Sequence, residues 1–419
     1  MDVPDAILLM GDKQWQEIKS KLTGKFNKMM KGLFRQKGAQ LDINILASDE
    51  AQEFITTHAG ILDAGFQKVE MSDKMRERLT RSNYIFSGIK TFHELNEAFP
   101  SMLDENGNKK TFERFLNDVQ KINDTYNANY LHAEYNFVQA SATMAAKWEQ
   151  FREDGDQYYL QYRTAKDGKV RPEHAALDGV TLPPSDSFWD TYYPPNGWNC
   201  RCNVVQVRKQ KYPITEHSEA MNRGEEAMNG QKYNIFRFNS GKQGKTMPDY
   251  NPYTIRRCND CDVAKGKMKL GFVPDYQLCQ GCIMIRKCSE DRNKDNSAKA
   301  TKKSPEVKKL QGTTISNPDF NHEVLITGGS IREWTNQPHK EYAAKNSILK
   351  HIAKVFREAN YIGFIDNFKK KPGVKQSHLF ETNVLGELSW IIVREYEIGE
   401  FVLHSISDSD KIKTGIRKE

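Results

Sequence analysis

The sequence predicts a multidomain α+β protein with a mainly helical N-terminal region, a loop-rich middle, a zinc ribbon-like element and a C-terminal helix followed by an antiparallel sheet. Three observations support this prediction. Apolar side chains recur at helical spacing in residues 13–34 and 112–151, they alternate in short runs within residues 361–406, and turn dipeptides and paired cysteines fill the chain between. A chain of 419 residues has room for two to four domains, each with its own core.

Composition narrows the class of protein further. Charged residues make up 28% of the chain and aromatic residues 11%, which indicates that most of it folds. No run of eighteen apolar residues occurs, and the acidic first residues lack the pattern of a signal peptide, so we expect no membrane contact. The seven cysteines lie mostly in close pairs, which favours metal binding in a reducing compartment over disulfides.

The first 150 residues are predicted to be a helical scaffold, with an N-terminal segment over residues 1–50. The helix of residues 13–34 has apolar side chains from Trp15 to Leu33 on one face, and residues 112–151 repeat the pattern from Phe115 to Trp148. Neither helix contains a residue pattern that points to chemistry.

The most distinctive stretch covers residues 162–202. Its Asp-Gly pairs at residues 167–168 and 178–179 are turn dipeptides, and two Pro-Pro pairs exclude helix on either side of Phe188-Trp189. We therefore expect a compact, loop-rich unit held by aromatic side chains. Loops of this length need a further constraint.

One constraint that the residues offer is a small metal site of His174, Cys200 and Cys202. The simpler alternative is a buried, hydrogen-bonded His174 that packs beside two reduced cysteines. The Cys-x-Cys spacing is tight for two ligands of one ion, and the sequence shows no obvious fourth ligand. Packing is therefore the default interpretation.

The same stretch resembles the signature of the phage Mu F-like minor head proteins, the head morphogenesis domain. The residues that carry the resemblance, in the family's order, are Arg171, His174, Gly179, Trp189, Cys200 and Cys202. The resemblance implies a head morphogenesis domain over residues 51–208 and a place in the capsid of a tailed phage or prophage. It implies portal and capsid proteins and phage DNA as partners. The implied location is the virion, in the capsid interior or at the portal, and the host cytoplasm.

Residues 209–254 are predicted to be a polar connecting region and residues 255–288 a structural zinc element. Two Cys-x-x-Cys pairs seventeen residues apart form the pattern of a four-thiolate zinc ribbon. Zinc is thus the predicted cofactor, and its ligands are Cys258, Cys261, Cys279 and Cys282. Two chance pairs or a redox motif are the alternatives, and Cys288 is a fifth thiol that replaces one of the four or is free.

The net charge of +7 is concentrated in one part of the chain. Residues 256–310 contain fourteen Lys and Arg against seven Asp and Glu, which leaves the rest balanced. A local basic excess indicates phosphate contact, and the candidate nucleic-acid-binding residues are Arg256, Arg257, Lys265, Lys267 and Lys269. The alternatives for this basic excess are a solvated, flexible segment and a brace between domains. Residues 289–317 have almost no large apolar residue and are predicted to be a flexible basic linker.

Residues 318–419 are predicted to form an α+β domain. Asn336 is expected to cap a helix that runs to about residue 360 with Pro338 in its first turn. Strands follow at residues 361–365, 377–384, 388–396 and 401–406, and the last two form a hairpin at residues 398–400. This order is similar to that of the barnase–EndoU–colicin–RelE-like nucleases, some of which are fused to Mu F-like domains as phage-borne toxins.

That similarity is one of architecture, so the candidate catalytic residues come from chemistry alone. Metal-free RNA cleavage needs a base, an acid and a cation for the phosphorane charge. The candidates are His339, Arg394, His404, Ser405 and Ser407, and weaker ones are His322, His378, Lys340, Lys345 and Glu381. We expect Arg394 to lie opposite residue 403 or 404 and so to adjoin His404. Surface or capping use is the alternative for each of them.

Two functions of different class follow. The first is a phage or prophage minor head protein whose C-terminal domain is a metal-independent ribonuclease-like toxin, with host RNA as substrate and an immunity protein as partner. The second is a purely structural virion protein whose C-terminal domain is a non-catalytic module that binds DNA or the portal. The sequence favours the first, because a linker isolates a self-sufficient C-terminal unit.

Overall fold

A computed structural model describes residues 12–248, 251–253, 280–337, 342–367, 371–384 and 387–417. The chain divides into two compact units, Met1–Ser289 and Glu290–Glu419, and each has a hydrophobic core of its own. The predicted fold class, α+β in several parts with a mainly helical N-terminal region, is confirmed. Among the described residues, no helix combines the length and the apolar character that crossing a bilayer requires.

Five long helices form the scaffold of the first unit: α1 (Asp12–Phe34), α2 (Asp49–Ala64), α3 (Asp73–Ala98), α4 (Phe112–Asn123) and α5 (Leu131–Asp154). Short 3-10 turns lie at Ile43–Ala47, Phe99–Met102 and Gly155–Gln157, and a π-helical turn, Asp124–Tyr130, connects α4 to α5. The helices predicted over residues 13–34 and 112–151 are therefore present, the second one interrupted by the π turn.

Local signals set where three of these helices begin. Ser48, Ser72 and Thr111 each precede a helix, and each side chain accepts a hydrogen bond from the backbone N–H three residues further on. Behind the caps, apolar side chains such as Phe54 of α2 and Val119 of α4 are fully buried in one common core. Capping and periodicity thus suffice to explain the helical scaffold.

A buried ion pair ties three of the helices together. Lys90 of α3 is fully buried, and its Nζ lies 2.7 Å from Glu134 Oε2 of α5 and 3.0 Å from His58 Nε2 of α2. It also donates to the carbonyl oxygen of Tyr126 in the π turn, at 2.7 Å. Burial lowers the pKa of His58 to about 4. Burial alone would raise the pKa of Glu134, but the charge of Lys90 and the contact with His58 hold it at about 2.

The rest of the first unit is loop-rich and contains a three-stranded sheet. Strand β1 (Tyr159–Arg163) pairs antiparallel with β2 (Thr181–Leu182) on one side and β3 (Asn203–Val207) on the other. The helices of this region are short: α6 (Pro172–Ala175), α7 (Phe188–Thr191), α8 (His217–Ala227) and α9 (Ser240–Gln243), with a 3-10 turn at Gln231–Phe236.

Aromatic side chains hold these loops, as the sequence predicts. Trp189, Tyr192 and Tyr193 are fully buried, whereas Trp198 is half-buried. Trp189 Nε1 donates to the carbonyl oxygen of Pro183 at 3.1 Å, so its polar edge is satisfied inside the core. Tyr193 donates from its hydroxyl to the carbonyl oxygen of a residue in α5 at 2.9 Å. The loops therefore pack directly on the helical scaffold.

The remaining elements begin with α10 (Gln280–Lys303) and continue through α11 (Pro305–Lys309), β4 (Thr314–Asn317), β5 (Phe320–Leu325), α12 (Gly328–Asn336), α13 (Tyr342–Ser347) and α14 (Ile352–Glu358). Four strands follow: β6 (Asn360–Asp366), β7 (Val374–Val384), β8 (Glu387–Tyr396) and β9 (Phe401–Ser407). Short 3-10 turns lie at Ile348–His351 and Asp410–Lys413.

The six strands that the structure describes in the second unit form one sheet in the order β4-β5-β9-β8-β7-β6. All neighbours are antiparallel except β5 and β9, which are parallel. The four predicted strands and the β8–β9 hairpin are present, and Gly399 turns that hairpin with a φ of 84° that favours glycine. Trp334 of α12, Phe356 of α14 and Phe380 of β7 fill the core beside the sheet.

The flexible linker predicted over residues 289–317 is wrong. Helix α10 covers residues 280–303, and α11 and β4 follow within the same stretch. Lys, Glu, Arg and Ala are good helix formers, so a polar composition does not exclude a helix when a few side chains are buried. Ser289, Ala298 and Val307 are such buried contacts. The compact C-terminal unit accordingly begins at residue 290 rather than at 318.

The helix start predicted at Asn336 is also wrong, because Asn336 is the last residue of α12. The cap of α12 is Thr327, whose side chain accepts from the backbone N–H of Ser330 while the Ser330 hydroxyl accepts from the backbone N–H of Thr327. This reciprocal pair is a capping box, and Ser in place of Glu or Gln at its third position hides it in the sequence. The helical stretch that follows is divided into α13, a 3-10 turn and α14.

Candidate metal centre

The signature segment is positioned by the small sheet and by one glycine. Tyr162 of β1 donates its N–H to the carbonyl oxygen of Val180, and Gly179 donates its N–H to the carbonyl oxygen of Tyr162, both at 2.9 Å. Gly179 has a φ of 82°, a conformation that other residues rarely adopt. The turn therefore requires glycine, and it brings the segment that follows α6 back against β1.

His174, Cys200 and Cys202 lie together, as the sequence suggests for a metal site. His174 Nδ1 is 3.7 Å from Cys200 Sγ and 3.7 Å from Cys202 Sγ. The possible ligand atoms of the three residues all lie within 4.8 Å of one another. The side chains are 2%, 6% and 9% exposed, so the cluster is desolvated.

Arg171 supports the cluster from one side. Its Nη2 donates to the carbonyl oxygen of Trp198 at 2.6 Å, which joins the residue before α6 to the segment before Cys200. A Cβ on Gly197 would lie 2.8 Å from Arg171 Nη1 and 3.6 Å from His174 Cε1. Glycine at position 197 therefore leaves the space that the guanidinium and the imidazole occupy.

The two thiols are electrostatically unequal. Hydrogen bonds from Cys202 and then from His174 hold the pKa of the Cys200 thiol well below its usual range. The neighbouring Cys200 sulfur and burial raise the pKa of the Cys202 thiol. The two thiols therefore titrate as one coupled pair, in which the surroundings favour a single thiolate.

A cavity of about 500 Å³ opens beside the cluster. Its lining includes all three cluster residues and four basic side chains, His132, Lys169, Arg171 and Arg201. Arg201 is paired with Asp167 through two hydrogen bonds. The cavity is therefore concave, accessible and rich in cationic groups, and suits a small anionic ligand.

In the second unit the structure brings together two of the predicted catalytic residues. Arg394 pairs with Val402 across β8 and β9, and a bulge between Ile392 and Val393 leaves His404 without a direct partner in the register. Burial, followed by the charges of Arg394 and Lys371, lowers the pKa of His404 to about 3. The charge of Arg394 therefore acts on the His404 imidazole. The predicted register, with Arg394 opposite residue 403 or 404, is wrong by one or two positions.

The two predicted serines differ in accessibility. Ser405 is 1% exposed and lies on the paired part of β9, so it cannot contact a substrate as predicted. Ser407 is half-buried at the end of the strand, opposite Trp390. The two serines lie on the same face of β9, so the difference comes from their position along the strand: Ser405 is inside it and Ser407 is its last residue.

The structure also shows three side chains linked by hydrogen bonds that the sequence pattern did not predict as a group. His378 of β7 contacts the Tyr361 hydroxyl of β6 through Nδ1 at 2.9 Å and Glu395 Oε2 of β8 through Nε2 at 3.0 Å. His378 was a weaker candidate, and neither Tyr361 nor Glu395 was singled out. The strand register alone brings them together, so no spacing in the sequence could reveal the contact.

Several predicted site residues lie outside the described residues. These are the zinc ligands Cys258, Cys261 and Cys279, the basic residues Arg256, Arg257, Lys265, Lys267 and Lys269, and His339. Cys282, the fourth predicted zinc ligand, is described and is buried in the first turn of α10. The four-thiolate zinc element remains a prediction.

Comparison with known proteins agrees with the signature. Residues 105–205 match the family model for Phage Mu protein F like protein, and residues 292–403 match that for large polyvalent protein-associated domain 3. The chain is 32% identical over 284 residues to "Putative capsid assembly protein F" of Escherichia phage Mu. The aligned region covers 62% of this chain and 61% of that protein.

A second relative is the Mu-like prophage FluMu F protein of Haemophilus influenzae, 34% identical over 102 residues, or 24% of this chain and 22% of that protein. The chain thus spans less than two thirds of the length of either relative. No solved structure matches it. The matched region contains the whole His174–Cys200–Cys202 cluster, and residues 105–205 are similar to Phage Mu protein F like protein.

Proposed function

We propose that the chain is a minor head protein that acts in capsid assembly of a Mu-like phage or prophage. The observation that carries the proposal is the similarity over 284 residues to a protein named for capsid assembly. The fold is consistent with a structural role, since the signature residues are used in packing: Trp189 is fully buried and Gly179 makes a turn. The partners that fit this role are the phage portal and capsid proteins.

Deleting the gene from a Mu-like prophage that carries it should yield few or no filled heads, and the full chain supplied in trans should restore them. The chain itself should then be found in purified heads by mass spectrometry. A matched control is the full chain with His404→Ala, because that residue belongs to the C-terminal unit and should leave head assembly intact. A normal yield of heads without the chain, and its absence from purified heads, would contradict the proposal.

A ribonuclease activity of the C-terminal unit is the second candidate. The observation that favours it is the placement of Arg394 and His404 on the paired strands β8 and β9, although the lowered pKa makes the His404 imidazole a weak base. A neutral imidazole can accept a proton from a 2′-hydroxyl, and the guanidinium can stabilise the phosphorane. The family match of residues 292–403 is to a polyvalent protein-associated domain and assigns no nuclease activity. Host RNA and an immunity protein belong to this candidate alone.

We expect the full chain, if it is such an enzyme, to cleave RNA in the presence of EDTA and to leave a 2′,3′-cyclic phosphate, because the attacking oxygen belongs to the substrate. His404→Ala should lower the rate by roughly two to four orders of magnitude, as for loss of a general base. Arg394→Ala should have a comparable effect, and Lys354→Ala, an exposed change on α14, should have little. An unmodified chain without activity on cellular RNA would eliminate the ribonuclease and leave the structural virion protein.

A further inference from the structure

Hydrogen bonding explains the cluster of His174, Cys200 and Cys202 only in part. A buried histidine that serves packing normally has both ring nitrogens bound to polar partners. His174 is 2% exposed, its Nδ1 faces only two sulfur atoms, and its Nε2 has no hydrogen-bond partner among the described residues. Sulfur is a weak hydrogen-bond partner, so the arrangement is a poor one for a structural imidazole.

The same atoms fit a metal ion well. In a tetrahedral zinc site the Zn–N distance is about 2.0–2.1 Å and the Zn–S distance about 2.3 Å, which places nitrogen and sulfur about 3.6 Å apart. Both distances from His174 Nδ1 to the sulfurs are 3.7 Å. Two thiolates and one imidazole are soft ligands. Such ligands bind zinc in preference to magnesium or calcium.

The position of the cluster leaves room for a fourth ligand that does not come from the protein. The three residues line the cavity of about 500 Å³, and none of the other carboxylate, imidazole or thiol groups in the described part of the chain joins the cluster. A zinc ion held by three protein ligands keeps one position for water or another small ligand. Lys169 and Arg171 on the cavity wall favour an anion there, whereas Asp167 offsets the charge of Arg201.

We propose that His174 Nδ1, Cys200 Sγ and Cys202 Sγ hold one zinc ion whose fourth position opens to this cavity and takes water or a small anion. The ion joins α6 to the segment before β3, across a separation of 26 and 28 residues. It supplies the constraint that the long loops of the signature need, since metal binding to a preformed ligand set adds directly to folding stability. None of its three protein ligands belongs to the four cysteines of the predicted zinc element over residues 258–282.

The test uses the full chain, purified under reducing conditions, with zinc measured by elemental analysis and the site examined by Co²⁺ substitution. Cys200→Ser and Cys202→Ser should each lose one equivalent of metal relative to the unmodified chain and the thiolate-to-cobalt absorption that belongs to this site. His174→Ala should lose the same equivalent. Cys261→Ser is the matched control: any zinc that it loses belongs to the other cysteines, and it should retain the mixed nitrogen and sulfur site.

The fourth position has its own measurement. Azide added to the Co²⁺-substituted Cys261→Ser chain should shift the absorption spectrum, because an exchangeable ligand is replaced. His132→Ala, which changes the cavity wall but none of the three ligands, should keep the ion. An ion that is lost with His132, or a spectrum that azide does not change, would overturn the open position.

X-ray absorption of the unmodified chain keeps the proposal testable if the cysteine variants fail to fold. A zinc shell that includes nitrogen beside sulfur supports the site. Zinc surrounded by sulfur alone, or full zinc content in Cys200→Ser and Cys202→Ser, overturns it.

Discussion

Lys90→Met should lower the free energy of unfolding of the helical scaffold by about 3–5 kcal/mol, the loss observed when one partner of a buried ion pair is removed. Lys90 is fully buried, and its Nζ donates to Glu134 Oε2 at 2.7 Å. Without the ammonium, the carboxylate of Glu134 remains desolvated, and its partners in the described part of the chain are His58 and the Tyr253 hydroxyl. The change conserves most of the side-chain volume, so the effect reports the charge.

The measurement is denaturant unfolding, monitored by hydrogen exchange in peptides from α3 and α5. These peptides report the unfolding of the first unit separately from that of the second. Lys110→Met is the matched control, since Lys110 pairs with Asp118 near the surface and the loss there should be small. The double variant Lys90→Met, Glu134→Leu should recover part of the loss because no uncompensated charge remains. If Lys90→Met is as stable as the unmodified chain, the ion pair does not hold the scaffold together.

Trp189→Ala should destabilise the signature region by about 3–5 kcal/mol, the range for truncating a large buried aromatic residue. Trp189 is fully buried, its ring packs edge-on against Phe188 and Tyr193 with centroids 5.0 and 6.2 Å away, and its Nε1 donates to Pro183. The variant therefore leaves both a cavity and an unsatisfied carbonyl group.

Hydrogen exchange of peptides over residues 188–207 measures this effect. Tyr158→Ala is the control, because Tyr158 lies in the same region but is 38% exposed. Loss of protection should appear in the Trp189 variant at lower denaturant, with the protection of β7 and β8 unchanged. Equal protection in the two variants would show that the indole does not organise the loops.

Much of the fold follows from patterns that act over a few residues. Helices α1, α4 and α5 and strands β6 to β9 were predicted because apolar periodicity and turn residues act locally. The hairpin at Gly399 was also predicted from local residues, since its turn depends on one residue with a positive φ. The signature of residues 162–202 was identified from residue types in order, and the family match over residues 105–205 covers all of it.

Two of the wrong predictions, the linker and the helix start at Asn336, share one cause, which is that polar residue types do not say how a segment packs. Residues 289–303 are polar along their length, yet they form helix α10 and bury Ser289 and Ala298. Asn is a common N-cap residue, yet Asn336 is the last residue of α12. The N-cap of that helix is Thr327, nine residues earlier, which forms a capping box with Ser330. In both cases long-range contacts outweigh a local preference of about 1 kcal/mol or less.

By itself, the sequence determined the fold class, the order of the main elements and the identity of the signature residues, because each depends on local spacing or residue type. Only the tertiary structure decided that His174 meets Cys200 and Cys202 across 26 and 28 residues, that Lys90 meets Glu134 across 44, and that His378 meets Glu395 across a strand pair. These contacts depend on how whole elements pack and on strand register. A single-residue shift of register moves a side chain to the other face of its sheet, so no local pattern can specify them.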